Sequence, residues 1–193
     1  MIKKILIGLI SYSLLGATIS VAQSSLEKES NKTTENIVKV KQWTCPTCTE
    51  SEQIVLQKLQ ERTKISDRNA LATIMGNIKQ ESQFKTNICE GGARVPYRGC
   101  HSGGYGLIQW TTTGRYNGLG YFCKKYDCDP NSLTGQLRYM INENQFQQNL
   151  PYFEGVGMTV RYYMNAAYSW LGWGIHGART NYAYDYTKKF IFA

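Results

Sequence analysis

LATIMGNIKQESQF, residues 71–84, places Leu71, Ile74, Met75 and Ile78 at helical spacing, so one apolar stripe runs down a single face. Ser66 or Asp67 stands ahead of it as a cap, and the pattern predicts a helix running to about Gln83. Glu81 falls in the last turn, three residues from Ile78, at the edge of the stripe rather than opposite it. A carboxylate there meets the partial negative charge of the helix end and partial burial, and both push its pKa upward. A general acid working near neutral pH requires that direction. A glutamate at a helix end is also commonly just a solvated charge, and spacing alone does not separate the two readings.

Working outward, Thr49-Glu50-Ser51-Glu52 matches a capping box and predicts a helix over about 50–63, with Val55, Leu56 and Leu59 facing inward. On the other side, Gly91 to Gly120 is dense in glycine and is flanked or interrupted by Cys89, Cys100 and Pro96. It reads as loop or short hairpin held by a disulfide, and it contains GGYGLIQW at residues 103–110. Ser132 caps a further helix whose Leu133, Leu137, Met140 and Ile141 repeat the helical spacing. Residues 157–171 and 177–190 read as helices separated by the Gly172–Gly177 break, and this end of the chain is rich in aromatics.

Lys3 and Lys4 precede an apolar stretch, Ile5–Leu15, that continues through Gly16–Ala22. Ser20-Val21-Ala22 presents small residues at both positions a signal peptidase reads. Residues 1–22 are therefore expected to be a signal peptide cleaved after Ala22, with an uncleaved membrane anchor as the competing reading. Cleavage yields a secreted or periplasmic protein with no stable membrane insertion. Residues 23–48 are polar and aperiodic and read as a linker carrying Cys45-Pro46-Thr47-Cys48, and residues 49–193 form the domain. In an oxidising compartment six cysteines favour three disulfides. Local pairing puts Cys89 with Cys100 and Cys123 with Cys128, leaving Cys45 to Cys48, although about fifteen connectivities exist for six cysteines. The Cys45–Cys48 spacing also fits a thiol-redox motif, but a polar tract rather than a strand precedes it.

Gly76-Asn77, Glu81-Ser82 and Gly104-Tyr105-Gly106-Leu107-Ile108-Gln109-Trp110, taken together, resemble the lysozyme superfamily and most closely its phage-tail lysozyme family. There a helix ending in G-N-x-x-x-E-S precedes a glycine-rich stretch and then G-x-G-L-x-Q-W. Similar elements occur in goose-type lysozymes and lytic transglycosylases. The resemblance is strong over residues 66–145 and weaker over 158–190, where Gly177-Ala178-Arg179 and Tyr182-Ala183 look like the family's closing helix. It does not cover residues 1–48.

The resemblance implies an α+β, predominantly α-helical, lysozyme-like fold with a small β-hairpin or Gly-rich loop beside the active-site cleft. It implies a peptidoglycan-degrading muramidase that needs neither metal nor organic cofactor. Glu81 would protonate the glycosidic oxygen of the β-1,4 bond between N-acetylmuramic acid and N-acetylglucosamine. Ser82, Tyr105 and Gln109 would line the cleft, and Trp110 would pack under or beside a sugar. Sugar faces do stack on aromatic rings, but ordinary core packing is the competing reading for Tyr105 and Trp110.

Glycosidases usually use two acids. Glu90, beside Cys89, is the leading candidate for a second, followed by Asp127 and Asp129. With no second acid near Glu81, the substrate's acetamide or 6-hydroxyl would attack the anomeric carbon, so hydrolysis and lytic transglycosylation both stay open. The formal net charge of +8, of which the signal peptide would remove two lysines, with Arg94, Arg98 and Arg115 assigned to loops, suits attraction to glycan strands bearing carboxylates, and a monomer is expected. The basic residues are scattered rather than striped, which argues against nucleic acid as a partner. Two alternatives remain. One is a catalytically inactive, lysozyme-like module that binds peptidoglycan or serves a structural role. The other is a Cys/His peptidase of stem peptides built on Cys100-His101, which needs a free thiolate.

Overall fold

The computed structural model describes residues 41–193; the expected signal peptide and most of the expected linker, residues 1–40, lie outside the described residues. The described part is predominantly helical with a small antiparallel sheet, in agreement with the α+β expectation. Strand β1 (Trp43–Thr44) pairs antiparallel with β2 (Ile191–Phe192), Trp43 opposite Phe192. Between them come α1 (Glu50–Arg62), α2 (Arg68–Ser82), α3 (Thr113–Tyr126), α4 (Leu133–Asn142), α5 (Asn144–Phe153), α6 (Val160–Leu171) and α7 (Arg179–Lys189). Strand β1 and the disulfide-bonded Cys45–Cys48 segment, which precede Thr49, also pack onto the helices.

Local chemistry accounts for the helix starts. Thr49 and Glu52 exchange the two bonds of a capping box, the Glu52 carboxylate accepting from the Thr49 N–H at 2.7 Å. Asp67, rather than Ser66, caps α2 by accepting from the N–H groups of Asn69 and Ala70. Ser132 caps α4 by accepting from the Gly135 N–H. Two helices lie where no helix was anticipated. Helix α3 carries Gly114, Gly118 and Gly120, which weaken helical propensity, and α5 is polar with Pro151 inside it. Gly118 and Gly120 are used to admit the rings of Tyr139 and Tyr97, so packing overrides propensity there.

Helix α2 is the centre of the domain. Every residue from Ala70 to Ile78 is buried, so the helix is enclosed on all sides rather than along one stripe. Its principal partner is α7, with α6 and α1 also against it. A Cβ at Gly76 would stand 2.6 Å from the Ala183 backbone nitrogen and 2.9 Å from its Cα, so glycine permits the close approach of α2 and α7. The predicted hairpin exists only as isolated antiparallel bridges, Ile88 to Arg94, Cys89 to Tyr105 and Tyr105 to Trp110, braced by the Cys89–Cys100 disulfide. The third disulfide, Cys123–Cys128, closes the end of α3, so all three expected pairs are present.

A second organising point is Glu143, between α4 and α5, whose side chain is 1 % exposed. Its two oxygens accept from the Trp110 indole at 3.1 Å, the Trp170 indole at 3.0 Å, and the Arg115 guanidinium at 3.0 and 2.6 Å. One carboxylate therefore ties the hairpin's end, α3 and α6 together. A buried charge is tolerable when its lone pairs are all used, and strongly destabilising when its partner is removed.

Two stability changes follow. Gly76→Ala forces backbone against backbone, and equilibrium urea unfolding should show a loss of about 1–3 kcal/mol, with no loss if the helices can part freely. Glu143→Ala leaves the Arg115 charge and two indole N–H groups unpaired inside the domain; the same measurement should show a loss of about 3–5 kcal/mol.

Candidate active site

Glu81 sits in the final turn of α2, just before the chain leaves the helix through Gln83 and Phe84, both in the left-handed region (φ 52° and 62°). Its side chain is 14 % exposed, so it is neither solvated nor sealed. Its Oε1 accepts from Arg179 Nη2, the first residue of α7, and Arg179 is its hydrogen-bond donor among the described residues. The Gly76 crossing brings α7 alongside α2, which is what delivers this arginine.

Arg179 is itself fixed. It is 5 % exposed, donates through Nη1 to the carbonyls of Ile175 and His176 at 3.1 and 2.9 Å, and lies 4.6 Å from the Trp173 ring centre. The adjoining turn is held to α2 as well, with the Ala178 N–H donating to Gln80 Oε1 at 2.8 Å. Burial pushes the Glu81 carboxyl above its ordinary value of 4.5; the Arg179 charge and hydrogen bond and the more remote Arg115 charge oppose this without reversing it. The upward direction read from sequence is therefore present, with desolvation as its main cause.

The glycine-rich segment is docked against the end of α2. Ser82 is buried and donates from Oγ to the Leu107 carbonyl at 2.7 Å, so it positions this segment rather than facing a ligand. Gly106 has φ 72°, and a Cβ there would stand 2.5 Å from Gln136 Oε1. Gln136, fully buried on α4, accepts from the Leu107 N–H at 2.8 Å and donates to the Thr86 and Pro130 carbonyls, clamping the loop from below. Gln109 takes φ 52°, a conformation non-glycine residues hold only when their surroundings impose it. Its amide donates to the carbonyls of Gly106 at 3.0 Å and Ile88 at 3.3 Å, and the side chain is half-buried.

Trp110 does not serve as the expected sugar platform. It is fully buried, with its ring against Tyr139 and its indole on Glu143, because a large ring with a buried acceptor available is better placed inside than in water. Tyr105 is likewise buried, its ring edge-on to Tyr97 and Tyr116 and its hydroxyl donating to Asn131, so it supports the loop from within. Of the residues expected to line the cleft, only Gln109 keeps partial exposure. Arg115 is not a loop residue: it belongs to α3 and is paired to Glu143.

Two of the three candidates for a second acid use their carboxylates to hold backbone. Glu90 is exposed and accepts from the Gly104 N–H at 2.9 Å, holding the hairpin. Asp129 accepts from the backbone and amide of Asn131 at 2.9 and 2.8 Å. Asp127 terminates α3 in a left-handed conformation. Cys100 is bonded to Cys89 and no described cysteine is free, which removes the thiol a Cys/His peptidase requires.

Sequence reading did not anticipate Gln136, Glu143 or the pairing of Arg115. A buried glutamine and an ion pair linking distant helices have no local periodicity to reveal them. Arg179 was visible only as part of the similarity over residues 177–183, without its partner.

No curated protein and no solved structure gives a significant match to the chain. A family model described as phage tail lysozyme matches residues 50–189, from the start of α1 to the end of α7. The chain belongs to the phage tail lysozyme family, which makes it a lysozyme-like enzyme of the glycosidase class with a peptidoglycan-degrading role.

Proposed function

We propose that the protein is an exported muramidase that cleaves the β-1,4 bond between N-acetylmuramic acid and N-acetylglucosamine, with Glu81 as the general acid. The observation that carries this reading is the state of Glu81: a helix-end carboxyl largely withdrawn from water, raised in pKa by that withdrawal, and paired with one buried cation. Three disulfides are consistent with an extracytoplasmic location.

In this mechanism protonated Glu81 donates to the glycosidic oxygen as the bond to the anomeric carbon breaks. Arg179 has two opposed effects. It lowers the pKa somewhat, and it stabilises the carboxylate left after the proton departs. Burial outweighs the first effect, so the net direction of the Glu81 pKa is upward. Because the carboxylates of Glu90 and Asp129 each accept from a backbone N–H, the reading favoured is one in which Glu81 acts as the only carboxyl acid. The attacking group is then water or the substrate's own acetamide or 6-hydroxyl. Reducing ends in the products show that water finally takes the anomeric carbon, directly or by opening the ring formed by the acetamide, and anhydro ends show that the 6-hydroxyl does.

Glu81→Gln keeps shape and removes the proton. Release of glycan fragments from purified wall should fall about 100- to 10,000-fold with the circular dichroism spectrum unchanged; undiminished release by a folded variant removes Glu81 from the chemistry. An acid must be protonated to act, so turnover should fall as pH rises through the Glu81 pKa, with that limb above the ordinary value of 4.5. Arg179→Gln deletes the largest opposing influence, and the limb should move to still higher pH while maximal turnover drops. A profile that keeps its position would show that Arg179 has no electrostatic hold on the acid.

A further inference from the structure

Helices α6 and α7 and the loop between them enclose a cavity of about 420 Å3 that does not include Glu81 among its lining residues. Arg161 and Tyr168 share one face of α6, Thr180 and Tyr184 share one face of α7, and the loop contributes Trp173 and His176. Two of these residues touch Arg179, the partner of the proposed acid. The Trp173 ring lies over the Arg179 guanidinium, and the His176 carbonyl accepts from that same group.

Its chemistry is one-sided. No acidic side chain lines it. Arg161 is exposed and has neither an ion pair nor a side-chain hydrogen bond among the described residues, unlike Arg179 and Arg115, whose charges are committed. Tyr168 and Trp173 meet edge to face at 5.2 Å and give an apolar wall, and His176 Nε2 is held to Thr180 Oγ1 at 3.1 Å. A free guanidinium facing an aromatic wall suits a ligand with a carboxylate and small alkyl groups.

We infer that this cavity binds the carboxylate-bearing stem peptide branching from the muramyl sugar, with Arg161 taking a carboxylate and the Tyr168–Trp173 wall taking alanyl methyl groups. The inference rests on the muramidase reading. The muramyl residue whose linkage Glu81 protonates carries the peptide on its lactyl ether, so the branch leaves the sugar near the acid, whose partner Arg179 lies against the Trp173 ring that lines the cavity.

The test is titration of the protein with a free stem tetrapeptide lacking sugar, followed by the indole and amide resonances of Trp173 and His176. Those resonances should shift, and Arg161→Ala should weaken the affinity about tenfold. Amidating the peptide's carboxylates should cost the intact protein a similar factor and cost Arg161→Ala nothing more. Tyr184→Ala, on the opposite wall, supplies a second weakened variant if Arg161→Ala does not fold. Absence of shifts at Trp173, equal affinity in the variants, or the same shifts produced by a peptide-free tetrasaccharide overturns the assignment. The titration involves no turnover. Peptide binding without glycan cleavage would sink the muramidase and keep the cavity's ligand, whereas cleavage without peptide binding would do the reverse.

Discussion

The close passage of α2 against α7 is the constraint on which the remaining architecture depends. At Gly76 there is no room for a methyl group before the Ala183 backbone, so the two helices meet at a separation only a glycine allows. That separation places the first residue of α7 beside the last turn of α2 and converts two charges ninety-eight positions apart in the chain into an ion pair. Any outward shift of α7 would withdraw Arg179 and the Trp173–His176 loop together, since the loop's carbonyls are bonded to the same guanidinium. Packing geometry and site electrostatics are therefore one problem in this protein.

Two buried carboxylate–arginine pairs show how surroundings separate structure from chemistry. Glu143 has every lone pair occupied, by two indoles and a two-pronged guanidinium, and almost no exposure. Nothing remains on it for a substrate, so its charge serves to orient Trp110, Trp170 and Arg115. Glu81 has one donor and a residual opening to solvent. Desolvation outweighs its cation and biases it toward the protonated form. Similar residue types thus yield a fastener in one place and a carboxyl biased toward its protonated form in the other, decided by how many hydrogen bonds each receives and how much water each retains.

The glycine-rich segment extends the same logic. It has almost no regular strand of its own; Gln136 from below, Ser82 from the helix end and Gln109 from within hold it by side-chain bonds to backbone groups. The conspicuous aromatics of GGYGLIQW turn inward and fill the space beneath it. It is consequently pinned by hydrogen bonds where it touches α2, while Gln109 keeps partial exposure to solvent.

Much of this was legible in the chain itself, and for local reasons. Capping residues, helical spacing of apolar side chains and short-range cysteine pairs act over a few positions, so Thr49, Ser132 and the α2 stripe could be read directly, the α2 cap was narrowed to Ser66 or Asp67, and local pairing gave the disulfides that are present. Helices α3 and α5 could not, because glycine and proline argue against them locally and only the tyrosines and core that receive them argue in favour. The sequence by itself determined where a carboxyl would stand on its helix and in which direction burial would move its pKa. Only the tertiary structure decided that Arg179 would meet it, that Trp110 would serve Glu143 instead of a ligand, and that Arg161 would be left unpaired beside an aromatic wall. These are outcomes of packing between segments far apart in the chain, and no short-range pattern encodes them.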